Sequence, residues 1–361
     1  MSTPPLATTR RATITDVARE AGTGKTSISR YLNGEMSVLS PELRARIEAA
    51  IERLDYQPNQ MARGLKRGRN RLIGMLLADL TNPYTVEVLQ GVEAACHALG
   101  LMPLICHAAN EVEMERRYLQ LLTTYRVEGV IVNALGVREE TLRPVGDGGI
   151  PAVLVDRSVD GLITDMVGLD NRAAAELGTR HLLENGFDEI WFVVQPFEQV
   201  SSRQLREAAF RDVMRDAHGA RGHTLVLNLA DAAAVERGLA ELDRALDAAG
   251  SATRSAAGSA DDATGKASRV ALFAANAPVA LRLALHLKAR YGAHWQARVA
   301  LLSIDDPEWA ELTGVTTIRQ PTYEIGYRAV EFLHERIEGV QTTARDCLLP
   351  GELIVRASTS R

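Results

Sequence analysis

Thr13 to Asn33, TITDVAREAGTGKTSISRYLN, reads as two short helices joined by a tight turn. Thr15 can cap the first helix, whose apolar positions Val17, Ala18 and Ala21 share one face. Gly22 permits a turn that a side chain would hinder. The second helix, about Lys25 to Leu32, sets Ile28 and Leu32 four residues apart and facing inward. A third helix starts at Ser40, with Pro41 in its first position and an apolar stripe of Leu43, Ile47, Ala50, Ile51 and Leu54. Three short helices around one small core predict a helix-turn-helix unit over residues 10–57. The second helix then exposes Lys25, Thr26, Ser29 and Arg30 on one side. Near the N-terminus of such a helix, side chains reach base edges when the helix enters a major groove. Lys and Arg pair with guanine there, and Thr offers a hydroxyl or a methyl contact.

Charge agrees with that reading. Residues 1–70 hold 12 Lys+Arg against 7 Asp+Glu, a net of +5, while the other 291 residues hold 29 against 39, a net of −10. A small basic head on an acidic body points to a polyanion as the partner of the head alone. Gly24, Lys25 and Thr26 resemble the end of a phosphate-binding loop, but Arg19 stands where that loop needs its first glycine. Residues 58–70 form a hinge segment: Pro58, then Asn59 to Leu65, helix-competent but only about two turns long, then the basic run Lys66, Arg67, Arg69 and Arg71.

From Arg71 the pattern changes to alternating strands and helices. Strands are predicted at 72–78, 102–107, 129–134 and 152–155, with helices at 86–99 and 113–125 between them. A second run has helices at 172–184, 203–217 and 233–248 and strands at 189–194, 224–227, 270–274 and 299–304. A last helix is expected at 323–337 and a final strand within 348–355. Such alternation predicts an α/β body of two doubly wound parallel-sheet subdomains behind a small all-α head. Ligands of such sheets bind at the C-terminal ends of strands. That rule selects Asp79, Asn82, Tyr84, Asn133, Asp156 and Arg157 in the first run. In the second it selects Gln195, Ser201, Ser202, Arg203, Arg206, Asn276, Asp305 and Asp306. Residues 248–268, rich in Ala, Ser and Gly, are expected to be a mobile insertion serving neither site.

Other functional classes find little support. Cys96, Cys106 and Cys347 have no metal-ligand spacing, the histidines are scattered, and no nucleophile elbow or Gly-rich phosphate loop accompanies the Asp305–Asp306 pair. No catalytic set, metal or cofactor is expected. The N-terminus has no apolar signal core, and no apolar run approaches the roughly 18 residues of a membrane span. The expectation is a cytoplasmic protein without a membrane partner.

The ordered motifs TITDVAREAG, TSISRYLNG and LDYQPNQMARGL, over Ile14 to Leu65, resemble the DNA-binding head of the lactose-repressor (LacI/GalR) family of transcriptional regulators. The resemblance continues through DLTNPYT, VDRSVDG, VGLDN, RQLREAAF, FAANAPVA, LSIDDPEW and TTIRQP, and so covers nearly the whole chain. It implies a body of periplasmic sugar-binding type. Its first subdomain would take residues 71–171 and 321–338, its second 172–320 and 339–361, with three crossings between them. For the head it implies a DNA-binding set of Thr15, Lys25, Thr26, Ser29 and Arg30. In the hinge, Asn59, Ala62, Leu65 and Lys66 would belong to helices that order in the minor groove, with Leu65 as an apolar wedge. For the cleft it implies effector contacts at Tyr84, Asp156 or Arg157, Arg206, Asn276 and Asp305, and the strand ends add Asn133, Ser202 and Arg203 to the expected set.

Two departures matter: Ala277 replaces a common acid, and Thr85 stands where several relatives place an aromatic. With Arg157, Arg203 and Arg206 retained near the cleft, they favour an anionic ligand. The wording of the chain is similar to 2-ketogluconate-type repressors of that family. The implied partners are a pseudo-palindromic double-stranded DNA operator, a small sugar-acid effector, and a second copy of the chain in a homodimer or a higher oligomer. The alternatives are a small-molecule binding protein with no role on DNA, and the same fold answering to a neutral sugar or a corepressor.

Overall fold

The computed structural model describes residues 10–58, 69–133, 149–159, 161–198, 200–258 and 269–360. The chain divides into two compact units, residues 1–70 and 71–361.

In the first unit, α1 (Ile14–Glu20), α2 (Lys25–Leu32) and α3 (Pro41–Arg53) enclose a core of Val17, Ala18, Ala21, Ile28, Ile47 and Ala50. Ser40 caps α3 through the Leu43 amide, with Pro41 following it. The cap of α1 is Thr13 and not Thr15, which lies exposed inside the helix. The Thr13 hydroxyl accepts from the Asp16 amide while the Asp16 carboxylate accepts from the Thr13 amide at 2.9 Å. Asp16 stands three residues after Thr13, the spacing of a capping box, whereas Ala18 is three residues after Thr15. Gly22, at φ 62°, makes the turn into α2. The hinge residues Asn59, Ala62, Leu65 and Lys66 lie outside the described residues.

The second unit carries two six-stranded sheets. In chain order its first elements are β1 (Leu72–Leu77), α4 (Pro83–Leu99), β2 (Met102–His107), α5 (Val112–Thr124), β3 (Gly129–Asn133), β4 (Ala152–Val155) and β5 (Asp165–Leu169). There follow α6 (Asn171–Glu184), β6 (Glu189–Val194), α7 (Ser201–Asp216), β7 (Arg221–Val226), α8 (Ala232–Gly258), β8 (Val270–Ala274) and α9 (Ala277–Tyr291). The chain ends with β9 (Ala300–Ile304), α10 (Glu308–Thr313), β10 (Thr316–Arg319), α11 (Thr322–Ile337), β11 (Asp346–Leu349) and β12 (Glu352–Ile354).

The sheets run β11-β5-β4-β3-β1-β2 and β12-β10-β9-β8-β6-β7, so each strand of one has a counterpart in the other. All the pairings are parallel except that of β10 with β12. The interior strands are buried along their length, which suits sheets covered by helices on both faces.

The C-terminal segment departs from expectation. Residues 339–361 do not all join the second subdomain, because β11 pairs with β5 in the first sheet and β12 with β10 in the second. The third crossing therefore falls at Pro350 and Gly351, inside the stretch expected to be one strand. A Cβ on Gly351 would come within 2.7 Å of Ile318, so the crossing packs closely on the second sheet. Helix α8 also runs ten residues past Ala248, to Gly258. Alanine, the best helix former, fills much of that extension, and the low-complexity composition hid it. The rest of the expected insertion, 259–268, lies outside the described residues.

Candidate functional site

The head presents α2 as its polar face. Lys25, Thr26 and Arg30 are exposed, and Ser29 is half-buried. Ile28 on the opposite side is fully buried and fixes the helix against α1 and α3. Gly24 holds the N-cap position of α2 and gives its first turn no side-chain hydrogen bond. Arg30 lies 3.9 Å from Glu35. Thr15, by contrast, sits on α1.

The body holds a cavity of about 960 Å³, lined by all nine residues expected to contact an effector. Their convergence follows from topology. Asn133 ends β3, and Asp156 and Arg157 follow β4 in the first sheet. Asn276 follows β8 and caps α9, and Asp305 follows β9 in the second sheet. Tyr84 comes from the first turn of α4, and Ser202, Arg203 and Arg206 from the first turns of α7.

Asp156 and Asp305 occupy matching positions in the two sheets. Both have left-handed backbones, φ 68° and 76°, and each amide bonds the neighbouring strand, to Val167 O and Ile318 O, at 3.0 Å. Such conformations are uncommon for residues other than glycine and asparagine.

Arginines crowd around Asp156. Arg157 approaches it at 3.6 Å and Arg206 at 3.9 Å, and Ser202 Oγ donates to its Oδ2 at 3.2 Å. Arg206 is buried and also donates to Asn171 Oδ1 and Ala275 O, both at 2.7 Å. Arg203 donates to Pro196 O at 2.8 Å and to Gln195 Oε1 at 3.0 Å. Burial, and then the neighbouring Arg157 and Arg206, pull the Arg203 pKa down to about 10. Asp305 accepts from the Ala277 amide at 2.9 Å and from Gln320 Nε2 at 2.5 Å. Burial pushes the Asp305 carboxyl above its usual range, against the pull of Arg206.

Among the described residues, three buried oxygens of the cavity make no hydrogen bond: Tyr84 Oη, Asp156 Oδ1 and Gln320 Oε1. Leaving such a group unmatched costs about 1–3 kcal/mol, so each is a standing demand for a donor. Burial, and then Asp156, raise the Tyr84 phenol well above its ordinary pKa, so it remains a neutral hydroxyl.

The Asp305–Asp306 pair divides its work. Asp306 does not line this cavity. It accepts from Thr317 Oγ1 and Arg356 at 2.7 Å and from Arg319 at 2.8 Å, which fastens β9, β10 and the C-terminal segment together. Arg356 and Thr317 hold its carboxyl low despite burial. Gln320 is a cavity residue that the strand-end rule did not select, because β10 was not read as a strand. Trp309, Asn228 and Asn110 also line the cavity. Among the described residues no group of three or more His, Cys, Asp or Glu side chains could hold a metal ion, and no helix is long and apolar enough to cross a membrane.

Comparison with known proteins accounts for most of the chain. Residues 13–59 match the family of bacterial regulatory proteins, lacI family. Residues 70–231 match the periplasmic binding proteins and sugar binding domain of the LacI family, and 179–359 a periplasmic binding protein-like domain. The HTH-type transcriptional regulator PtxS of Pseudomonas aeruginosa is 40% identical over 97% of this chain and 96% of its own. The HTH-type transcriptional regulator KdgR of Bacillus subtilis is 32% identical over 97% and 98%. A crystal structure of the lac repressor dimer bound to operator and the anti-inducer ONPF superposes with a TM-score of 0.79 at 22% identity, covering 97% of this chain and 99% of that one.

Proposed function

Because this chain belongs to the LacI family of DNA-binding transcriptional regulators, we infer that its cleft receives a small sugar acid of the 2-ketogluconate kind, which releases the protein from its operator. The observation that carries the choice of ligand is the pairing, in one cavity, of an arginine cluster with buried oxygens that lack donors. Arg157 and Arg206 both approach Asp156 within 4.0 Å, and Arg206 also acts on the buried Asp305. A ligand carboxylate would meet the arginine cluster through charge-assisted hydrogen bonds. Ligand hydroxyls would supply the donors that Asp156 Oδ1 and Gln320 Oε1 lack.

On this reading Lys25, Thr26, Ser29 and Arg30 read operator bases and backbone, and the hinge set Asn59, Ala62, Leu65 and Lys66 grips the minor groove. A head this small makes few base contacts, so the working unit is a dimer on a pseudo-palindromic site. The protein acts in the cytoplasm by binding and not by catalysis. Ligand touching both sheets favours a closed cleft, and operator affinity falls because that state holds DNA less well.

A thermal-shift panel tests the ligand class. With 2-ketogluconate or gluconate at about 100 times its dissociation constant, the stability gain is expected to be roughly 2.7 kcal/mol. Stabilisation by neutral sugars alone would sink the assignment.

A further inference from the structure

Gln195, the first residue after β6, joins two polar side chains of the cleft through one oxygen. Its Oε1 accepts from Arg203 Nη2 at 3.0 Å and from Asn276 Nδ2 at 2.8 Å. The other terminal nitrogen of Arg203 donates to a backbone carbonyl, Pro196 O, at 2.8 Å. Among the described residues no carboxylate lies within 4.0 Å of Arg203, whereas Arg157 and Arg206 both approach Asp156 within that distance. Arg203 is thus held by neutral acceptors alone, and its charge is left for whatever enters the cavity.

We propose that Gln195 sets the charge selectivity of the cleft: as an uncharged acceptor it orients Arg203 without neutralising it, so that a ligand carboxylate completes the arginine cluster. The proposal rests on the sugar-acid reading of the cleft. An acidic side chain in this place would meet the same guanidinium with a formal charge and take over the role of the ligand carboxylate. Gln195 is a positioning residue, acting through Arg203 and Asn276. The lowered pKa of Arg203, due to burial and then to Arg157 and Arg206, fits a site where positive charge is crowded.

The test is isothermal titration of the full-length protein with 2-ketogluconate and with D-fructose, which carries a hydroxymethyl group in place of the carboxylate. Wild type should prefer the acid by about tenfold or more, the worth of a hydrogen bond to a charged group. In Gln195→Glu the acid should lose about 10- to 100-fold in affinity while fructose changes by less than about threefold, so the ratio collapses. A general loss of structure would weaken both ligands together and lower the melting temperature.

An unchanged acid-to-neutral ratio in folded Gln195→Glu would overturn the proposal. Should that variant not fold, Gln195→Met decides. Losing the acceptor should weaken the acid by about three- to tenfold, with fructose changing by less than about threefold. Unaltered acid affinity would overturn the proposal, as would equal losses for the two ligands. A wild type that binds no sugar acid at all would instead remove the underlying ligand assignment, and that result is read in the wild-type titration alone.

Discussion

Asp165→Ala is expected to destabilise the body by roughly 3–5 kcal/mol, the range for removing one partner of a buried ion pair. Asp165 opens β5, and its side chain is fully buried. It accepts from Arg336 Nε and Nη2 at 2.8 and 2.9 Å, from Arg345 Nη2 at 2.9 Å, and from the Arg345 amide at 2.9 Å. Arg336 in turn donates to Thr342 O and Thr343 O, and Arg345 stacks 3.7 Å over the Phe332 ring. One carboxylate therefore pins the connection from α11 to β11. Its loss strips Arg336 of that counter-charge, leaves Arg345 with Glu335 alone, and frees the strand that completes the first sheet.

The pH dependence has a definite sign. Burial raises the Asp165 carboxyl, but the hydrogen bonds from Arg336 and Arg345 outweigh it and hold the pKa well below the usual carboxylate range. A depressed folded-state pKa contributes stability that is present above the unfolded value, about 3.9, and is lost as pH falls below it. Urea unfolding should show the largest gap between wild type and Asp165→Asn near neutral pH. The gap should narrow below about pH 4. A gap independent of pH would mean that the carboxylate charge is not what stabilises this corner.

Gly326→Ala is the second large effect, and it runs against local propensity. In an isolated helix the change gains about 1 kcal/mol. Here a Cβ on Gly326 would lie 2.0 Å from Val88 O, and one on Gly91 would lie 2.0 Å from Tyr323 O. Helices α4 and α11 meet backbone to backbone through these two glycines, so no side chain can swing aside. Overpacking costs about 1–3 kcal/mol, more where the obstacle is rigid, so a net loss of roughly 2 kcal/mol or more is expected.

Function should suffer too. Tyr84 stands in the first turn of α4, and Gln320 lies just before α11. Glu87 accepts from Thr322 Oγ1 at 2.7 Å across the same helix pair. Prising the helices apart moves Tyr84 relative to Gln320 and should weaken effector binding along with stability. A Gly326→Ala protein with wild-type melting temperature and ligand affinity would refute the close-packing account.

The sequence revealed those elements whose signal is local. The periodicity of α2, the capping and periodicity of α3 and the apolar runs of the buried strands belong to this class. It missed β5 and β10, because DMVGL and TTIR lack the continuous apolar run that marks equally short strands such as β4, AVLV. It also missed α9, Ala277–Tyr291, whose run after Asn276 mixes apolar and basic residues. The division of the C-terminal segment between two sheets is a tertiary decision that no propensity encodes.

For the cleft, twelve of the fourteen residues that the strand-end rule selects line one cavity, since strand order alone fixes where those ends meet. Gln320 escaped with β10. The separate duties of Asp305 and Asp306 depend on which way each side chain leaves the end of β9, and adjacency in sequence hides that. The roles of Gln195 and Arg203 rest on who accepts from whom, which becomes visible only when side chains are placed.

The most direct test of the account is fluorescence anisotropy of the full-length protein on palindromic DNA from its own upstream region, titrated with 2-ketogluconate and with D-fructose. Tight, salt-sensitive binding is expected without ligand, with an operator affinity lowered about 5- to 150-fold by the acid and little changed by the neutral sugar. Absence of specific binding to any such site, or operator binding that no sugar acid alters, would contradict it.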